Sequence, residues 1–133
     1  MKDQPGHPYA ITDRTFEYAV AATELYEVLQ GGTNRAGWKL GDQYVDAATS
    51  VGANVEEAQA AESTDDFIHK YGIAQKEARE SRYWIRLLMR RGIVSQEVGA
   101  PLLQESGEIY AIITSIIVSA KKRRDNESRK GKR

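Results

Sequence analysis

The sequence predicts an all-α protein, an antiparallel up-down four-helix bundle. Three observations carry this. Four long segments repeat apolar residues at intervals of three and four. Capping and breaking residues separate those segments. No stretch shows the strict alternation of a half-buried strand. Short connections between long amphipathic helices then favour antiparallel neighbours.

Residues 1–11 read as a flexible N-terminal arm, because Pro5, Gly6 and Pro8 disfavour a helix. Thr12 or Asp13 caps a first helix that runs to about Gln30. Tyr18, Ala22, Leu25 and Leu29 form its apolar stripe, and Gly31-Gly32 ends it. A second helix runs from about Arg35 to Ala61, with Leu40, Tyr44, Ala47, Val51, Asn54 and Ala58 on one face. Gly41 and Gly52 lie inside it, each costing about 1 kcal/mol against Ala. Together with its many alanines they make a thin helix, which lets neighbours approach closely. Trp38, near its start, is expected to staple the preceding loop.

Ser63 caps a third helix, with Asp65 and Asp66 in the first turn, where they favour the dipole. Its ladder is Phe67, Tyr71, Ala74, Ala78, Ser81, Ile85 and Leu88. Gly92 is placed to end it after Arg91, followed by Ile93 for the hydrophobic contact of a Schellman motif. Ser95 caps the next segment, which is expected to restart or bend at Pro101 and then run to about Lys122. The bundle domain thus spans 12–122, and 123–133 read as a disordered basic tail.

The chain has 133 residues, which suits one domain, with 19 basic and 19 acidic side chains. There is no Cys, so disulfide and thiolate chemistry are excluded. The first ten residues lack the apolar core of a secretory signal, and the apolar run Ile109–Val118 is too short to span a bilayer. A cytoplasmic protein with no membrane partner is expected. The neutral total hides an asymmetry. Residues 121–133 hold eight basic and two acidic side chains, a net of +6, which leaves −6 on residues 1–120. A basic end on an acidic body needs its own explanation.

The fourth helix carries apolar residues in nearly every direction: Ile109, Tyr110, Ile112, Ile113, Ile116, Ile117 and Val118. A single bundle covers only part of each helix, so the excess points to a contact between subunits. Ile112, Ile116 and Ile117 are assigned to that interface.

Four constellations bear on chemistry. Arg79, Arg82, Arg86 and Arg90 share a helix face and lack acidic partners within their own helix. They either pair with carboxylates elsewhere, with Glu56, Glu57, Glu105 and Glu108 the candidates, or form a track for phosphates. Lys121, Lys122, Arg123 and Arg124 open the basic tail, which either binds nucleic acid without sequence preference or merely solubilises the chain. Asn54, on an apolar stripe, is grouped with Glu57 and Glu77 as a buried polar network that fixes register. Asp66-x-x-His69 offers one pair where di-metal bundles use two Glu-x-x-His pairs and two further carboxylates. No metal, cofactor or catalytic residue is therefore assigned. Tyr83 and Trp84, flanked by Ile85, Leu87 and Leu88, are read as packing residues rather than a base-stacking platform.

The residues of these helices resemble a family. LGDQYVDAATSVGANVEEAQAA (Leu40–Ala61) is similar to the second helix of bacterial four-helix bundle proteins encoded in 23S ribosomal RNA intervening sequences. DFIHKYGIAQKEARESRYWIRLL (Asp66–Leu88) is similar to their third, and LLQESGEIYAIITSIIVSAK (Leu102–Lys121) to their fourth. One departure stands out: the family usually reads Asn-Ile-Ala-Glu-Gly where this chain has Asn54-Val55-Glu56-Glu57-Ala58. The resemblance implies a ring-like homopentamer with no catalytic residues. It also relates the chain to accessory bundles of retroelements that bind nucleic acid and a reverse transcriptase. The expected function is a non-catalytic oligomeric module that binds RNA or a ribonucleoprotein partner. The alternative is a purely structural scaffold.

Overall fold

The computed structural model describes the backbone of residues 8–131 and the side chains of residues 11–131. It contains four helices and, among the described residues, no strand: α1 (Pro8–Gly31), α2 (Arg35–Gln59), α3 (Thr64–Arg90) and α4 (Gln96–Gly131). Neighbouring helices pack in ring order, and α4 closes back on α1 along a sparser seam.

The local signals act where the residue types place them. Asn34 Oδ1 accepts from the Gly37 amide at 3.0 Å, and Ser63 Oγ accepts from the Asp66 amide at 3.0 Å. Each satisfies one orphan donor of a first turn. Gly92 takes φ 71°, the left-handed conformation that a side chain disfavours. Its amide donates to the Met89 carbonyl and that of Ile93 to the Leu88 carbonyl, which is the Schellman pattern. Trp38 Nε1 donates to the Gly32 carbonyl at 3.0 Å and so pins the α1–α2 loop.

Three boundaries differ from expectation. Helix α1 begins at Pro8 rather than Thr12. Proline suits the first turn, where its missing N–H has no helical acceptor and its φ is already helical. Ile11, expected in the arm, is fully buried. Residues 1–7 of the expected arm lie outside the described residues. Helix α4 runs unbroken through Pro101. The hydrogen bond that Pro101 cannot donate would go to the carbonyl of Glu97, an exposed residue whose carbonyl water can reach. The helix also continues through most of the expected disordered tail, to Gly131. Lys, Arg and Glu are good helix formers, and late cations complement the dipole. Residues 132–133 lie outside the described residues.

The core fills the space between all four helices. Tyr44, Val51, Val55, Tyr71, Ile85, Leu88, Ile109 and Ile113 are essentially inaccessible to water. The thin second helix does what its composition predicts. A Cβ added at Gly52 would lie 3.2 Å from the Thr15 carbonyl oxygen, so α1 and α2 meet backbone to backbone there.

Candidate nucleic-acid interface

Helices α3 and α4 meet in one constant antiparallel register. Arg124 Nη1 donates to Asp65 at 3.2 Å, Gln75 Nε2 donates to Thr114 Oγ1 at 2.9 Å, and the Arg82 guanidinium rests against Gly107. Ten residues from Asp65 to Gln75 match ten from Arg124 to Thr114, and seven from Gln75 to Arg82 match seven from Thr114 to Gly107. This register fixes where each expected site residue falls.

The arginine stripe divides. Arg79, Arg86 and Arg90 are exposed. Arg82 is half-buried, and its Nε is buried without a hydrogen-bond partner. Among the described residues no carboxylate forms an ion pair with any of the four. The acids expected to neutralise them are elsewhere. Glu56 and Glu57 are exposed on α2. Glu105 and Glu108 are held by Arg14 of α1: Nε donates to Glu105 Oε2 at 3.0 Å, and Nη2 donates to Glu105 Oε1 at 2.6 Å and to Glu108 Oε1 at 2.9 Å. The Glu105 hydrogen bonds, opposed by partial burial, raise the Arg14 pKa above its already high value. The bond from Arg14, helped by Gln104, lowers that of Glu108. The Arg14 clamp closes the sparse α1–α4 seam. Glu105 and Glu108, three residues apart on one face, signalled a need for a cation; nothing local named Arg14, which is 91 residues from Glu105.

Tyr83 corrects another expectation. It is 56% exposed rather than packed, and pairs edge-to-face with half-buried Trp84 at a centroid distance of 5.0 Å. Arg79, Tyr83, Arg86 and Arg90 recur at spacings of four, three and four, which keeps all four on one face of α3. The fourth-helix element at that level is Leu103, and a cleft of about 470 Å³ is lined by Tyr83, Arg86, Leu87, Met89, Arg90 and Leu103.

Lys121, Lys122 and Arg123 are exposed, and Arg124 is partly covered by its contact with Asp65. They do not join the stripe. In this register Lys121 is level with Ile68, 11 residues before Arg79, so the near ends of the two groups lie about 16 Å apart at 1.5 Å per residue.

Asn54, Glu57 and Glu77 form no network. Asn54 donates to the Ser50 carbonyl of its own helix at 2.9 Å, Glu57 is exposed, and Glu77 is half-buried on α3. Burial, aided by nearby Glu80, raises the Glu77 pKa. The buried polar chain runs instead through groups that read as core. Tyr44 Oη donates to Tyr18 Oη at 3.1 Å, Tyr18 Oη to Ser81 Oγ at 3.0 Å, and Ser81 Oγ to the Ala78 carbonyl at 2.8 Å. Of the residues assigned to a subunit interface, Ile117 belongs to the core, and Ile112 and Ile116 are half-buried against it. The apolar side chains left in water are others, with Phe16 at 60% and Val28 at 71% exposure the largest on α1.

A family model described as 23S rRNA-intervening sequence protein matches residues 14–115. The chain belongs to this family. The matched span covers the Arg14 clamp and the α3 stripe and stops before the basic end of α4. Among solved structures, the chain is similar to a protein of unknown function from the S23 ribosomal protein family of Bacteroides thetaiotaomicron, determined by crystallography. The two are 36% identical, with a TM-score of 0.77, over 88% of this chain and 98% of that one. No curated protein matches significantly. Neither description names a reaction. Among the described residues no group of three or more His, Cys, Asp or Glu side chains is placed to hold a metal ion, and no helix is long and apolar enough to cross a membrane.

Proposed function

We propose that this chain is a non-catalytic oligomeric module that holds RNA, or a ribonucleoprotein, on the α3 face. Arg79, Arg86 and Arg90 supply the main contact, and the basic stretch Lys121–Arg124 a separate one. The observation that carries this is the set of exposed arginines that form no ion pair among the described residues, while Glu105 and Glu108 are held by Arg14. Guanidinium forks match phosphate oxygens, and three on one face compensate one another only through an external anion. The family description, which refers to a 23S rRNA-intervening sequence, supports the same direction. Binding of fluorescent RNA should weaken steeply with salt, and each arginine replaced by Gln should lower the slope of log affinity against log salt by about one. Truncation after Ala120 should weaken binding without abolishing it. Absence of RNA binding at low salt overturns this reading.

One observation favours a second reading, a scaffold that acts through self-assembly. Val28 and Val98 leave exposed apolar surface on the α1–α4 seam, in a cleft they line with Ala21, Leu25, Pro101 and Leu102. A second copy of the chain covering this surface fits the ring that the family resemblance implies. Native mass spectrometry should then show an oligomer that Val28→Glu dissociates. A purely structural arginine face predicts that Arg86→Ala also breaks it. An intact assembly in both variants overturns the scaffold reading.

A further inference from the structure

We infer that the cleft between α3 and α4 at Tyr83, Arg86, Arg90 and Leu103 is a subsite for one unpaired nucleotide of a single-stranded nucleic acid. The base lies against the Tyr83 ring and the apolar wall of Leu87 and Leu103, and two successive phosphates on one side of it lie at Arg86 and Arg90. This rests on the nucleic-acid reading above and goes beyond it in naming the strand form and the contacts.

Three features of the cleft meet the requirements of such a ligand and of no simple anion. Its volume, about 470 Å³, lies in the range of small-molecule sites. Its wall combines two unpaired guanidinium groups with an apolar surface, where a phosphate ion alone needs only the first. Its rim is an aromatic ring more than half exposed, held in an edge-to-face pair with Trp84. An exposed tyrosine on an otherwise polar helix face leaves a π surface in water. A base covers it without regard to sequence, because every base has a π face. A duplex keeps its bases stacked on each other and offers no free base face, so it meets Arg86 and Arg90 through its phosphates but cannot stack a base on Tyr83. The spacing of three between Tyr83 and Arg86, and of four between Arg86 and Arg90, sets ring and charges in line along the helix. A backbone running along the α3–α4 groove therefore meets the phosphate contacts on one side of the stacked base.

The test is fluorescence anisotropy with the full chain and three probes: a fluorescein-labelled mixed-sequence single-stranded RNA, the same sequence as DNA, and the RNA annealed to its complement. Both single strands should bind about tenfold tighter than the duplex. Tyr83→Leu should lose about tenfold for the single strands only and leave the salt slope unchanged, while Tyr83→Phe retains full affinity. The pair Arg86→Gln and Arg90→Gln should weaken all three probes and lower the salt slope by about two. Tyr83 lies at the surface, so an unchanged urea midpoint confirms that each variant is folded. Equal binding of duplex and single strands with no effect of Tyr83→Leu overturns the subsite and leaves the nucleic-acid reading standing. Failure of all three probes at low salt overturns both.

Discussion

The buried hydroxyl chain gives the sharpest test of how this bundle is held together. Tyr44 sits at its start, where it donates and accepts nothing. Tyr18 sits in the middle, accepting from α2 and donating across the bundle to α3. Tyr44→Phe deletes one hydrogen bond and leaves only an unused acceptor on Tyr18, which still donates to Ser81. Its cost is about 1 kcal/mol. Tyr18→Phe deletes two hydrogen bonds and strands the Tyr44 hydroxyl, which is fully buried, without an acceptor. An orphaned buried donor adds about 1–3 kcal/mol, for a total of about 3–5 kcal/mol. The double variant has no orphan and should cost less than the sum of the two, and no more than Tyr18→Phe alone. Urea unfolding followed by circular dichroism measures all three on one scale. The phenols should titrate only as the protein unfolds, because burial raises both pKa values. Equal costs for the two single variants, or strict additivity in the double, would falsify the directional chain.

Three further outcomes follow from contacts away from the core centre. Arg14→Met should lower stability by about 0.5–1 kcal/mol, a partly exposed fork being screened, and the loss should shrink in high salt. Because Arg14 lowers the Glu108 pKa, that carboxylate's stabilising effect is present above its ordinary value of 4.5 and fades as pH falls through the lowered folded value. The gap between wild type and Arg14→Met, read by thermal melts across pH, should narrow in that acid range. Glu77 has the opposite sign. Its pKa is raised on folding, so stability declines as pH rises from 4.5 through the folded value, and Glu77→Gln should raise Tm at pH 7 but not at pH 4. Gly52→Ala should destabilise by about 1 kcal/mol, since the new methyl must push the Thr15 backbone away, against a helix-propensity gain of similar size. Gly72→Ala, where a Cβ meets nothing within 4 Å, should instead stabilise by about 0.5–1 kcal/mol. Parallel urea titrations of the two separate packing from propensity.

The start and stop of α3 were legible because they are local. Ser63 and Gly92 act on amides and carbonyls within a few residues, and the apolar ladder of α3 is buried as its spacing requires. The restart expected at Pro101 does not occur: the residue whose carbonyl loses a hydrogen bond, Glu97, is exposed, so the lost bond costs little and the helix continues. The polar interior was not legible. Asn54 drew attention as an amide on an apolar stripe, yet a thin helix leaves it room to fold back on the Ser50 carbonyl. Tyr18 and Tyr44 look like core residues in any pattern of apolarity, and only the crossing of α1, α2 and α3 shows that their hydroxyls meet.

The candidate interface divides along the same line. The stripe of arginines was visible from spacing, but whether its charge is spent depends on which helix meets which, and at what level. The constant α3–α4 register places Leu103 and Gly107 opposite Arg86 and Arg82, and turns Glu105 and Glu108 toward α1, where Arg14 takes both. The same register carries Arg124 to Asp65, at the N-terminal end of α3. Stripe and basic end are therefore two electrostatic sites on a single molecule, about 16 Å apart at their near ends, some twice the roughly 8 Å Debye length of physiological salt. Charges so separated do not reinforce one another's local potential. Their contributions to the salt slope should add, and truncation after Ala120 should leave the slope due to Arg79, Arg86 and Arg90 intact. A truncated chain whose slope falls to zero would place the whole nucleic-acid contact on the α4 extension and remove the stripe from it.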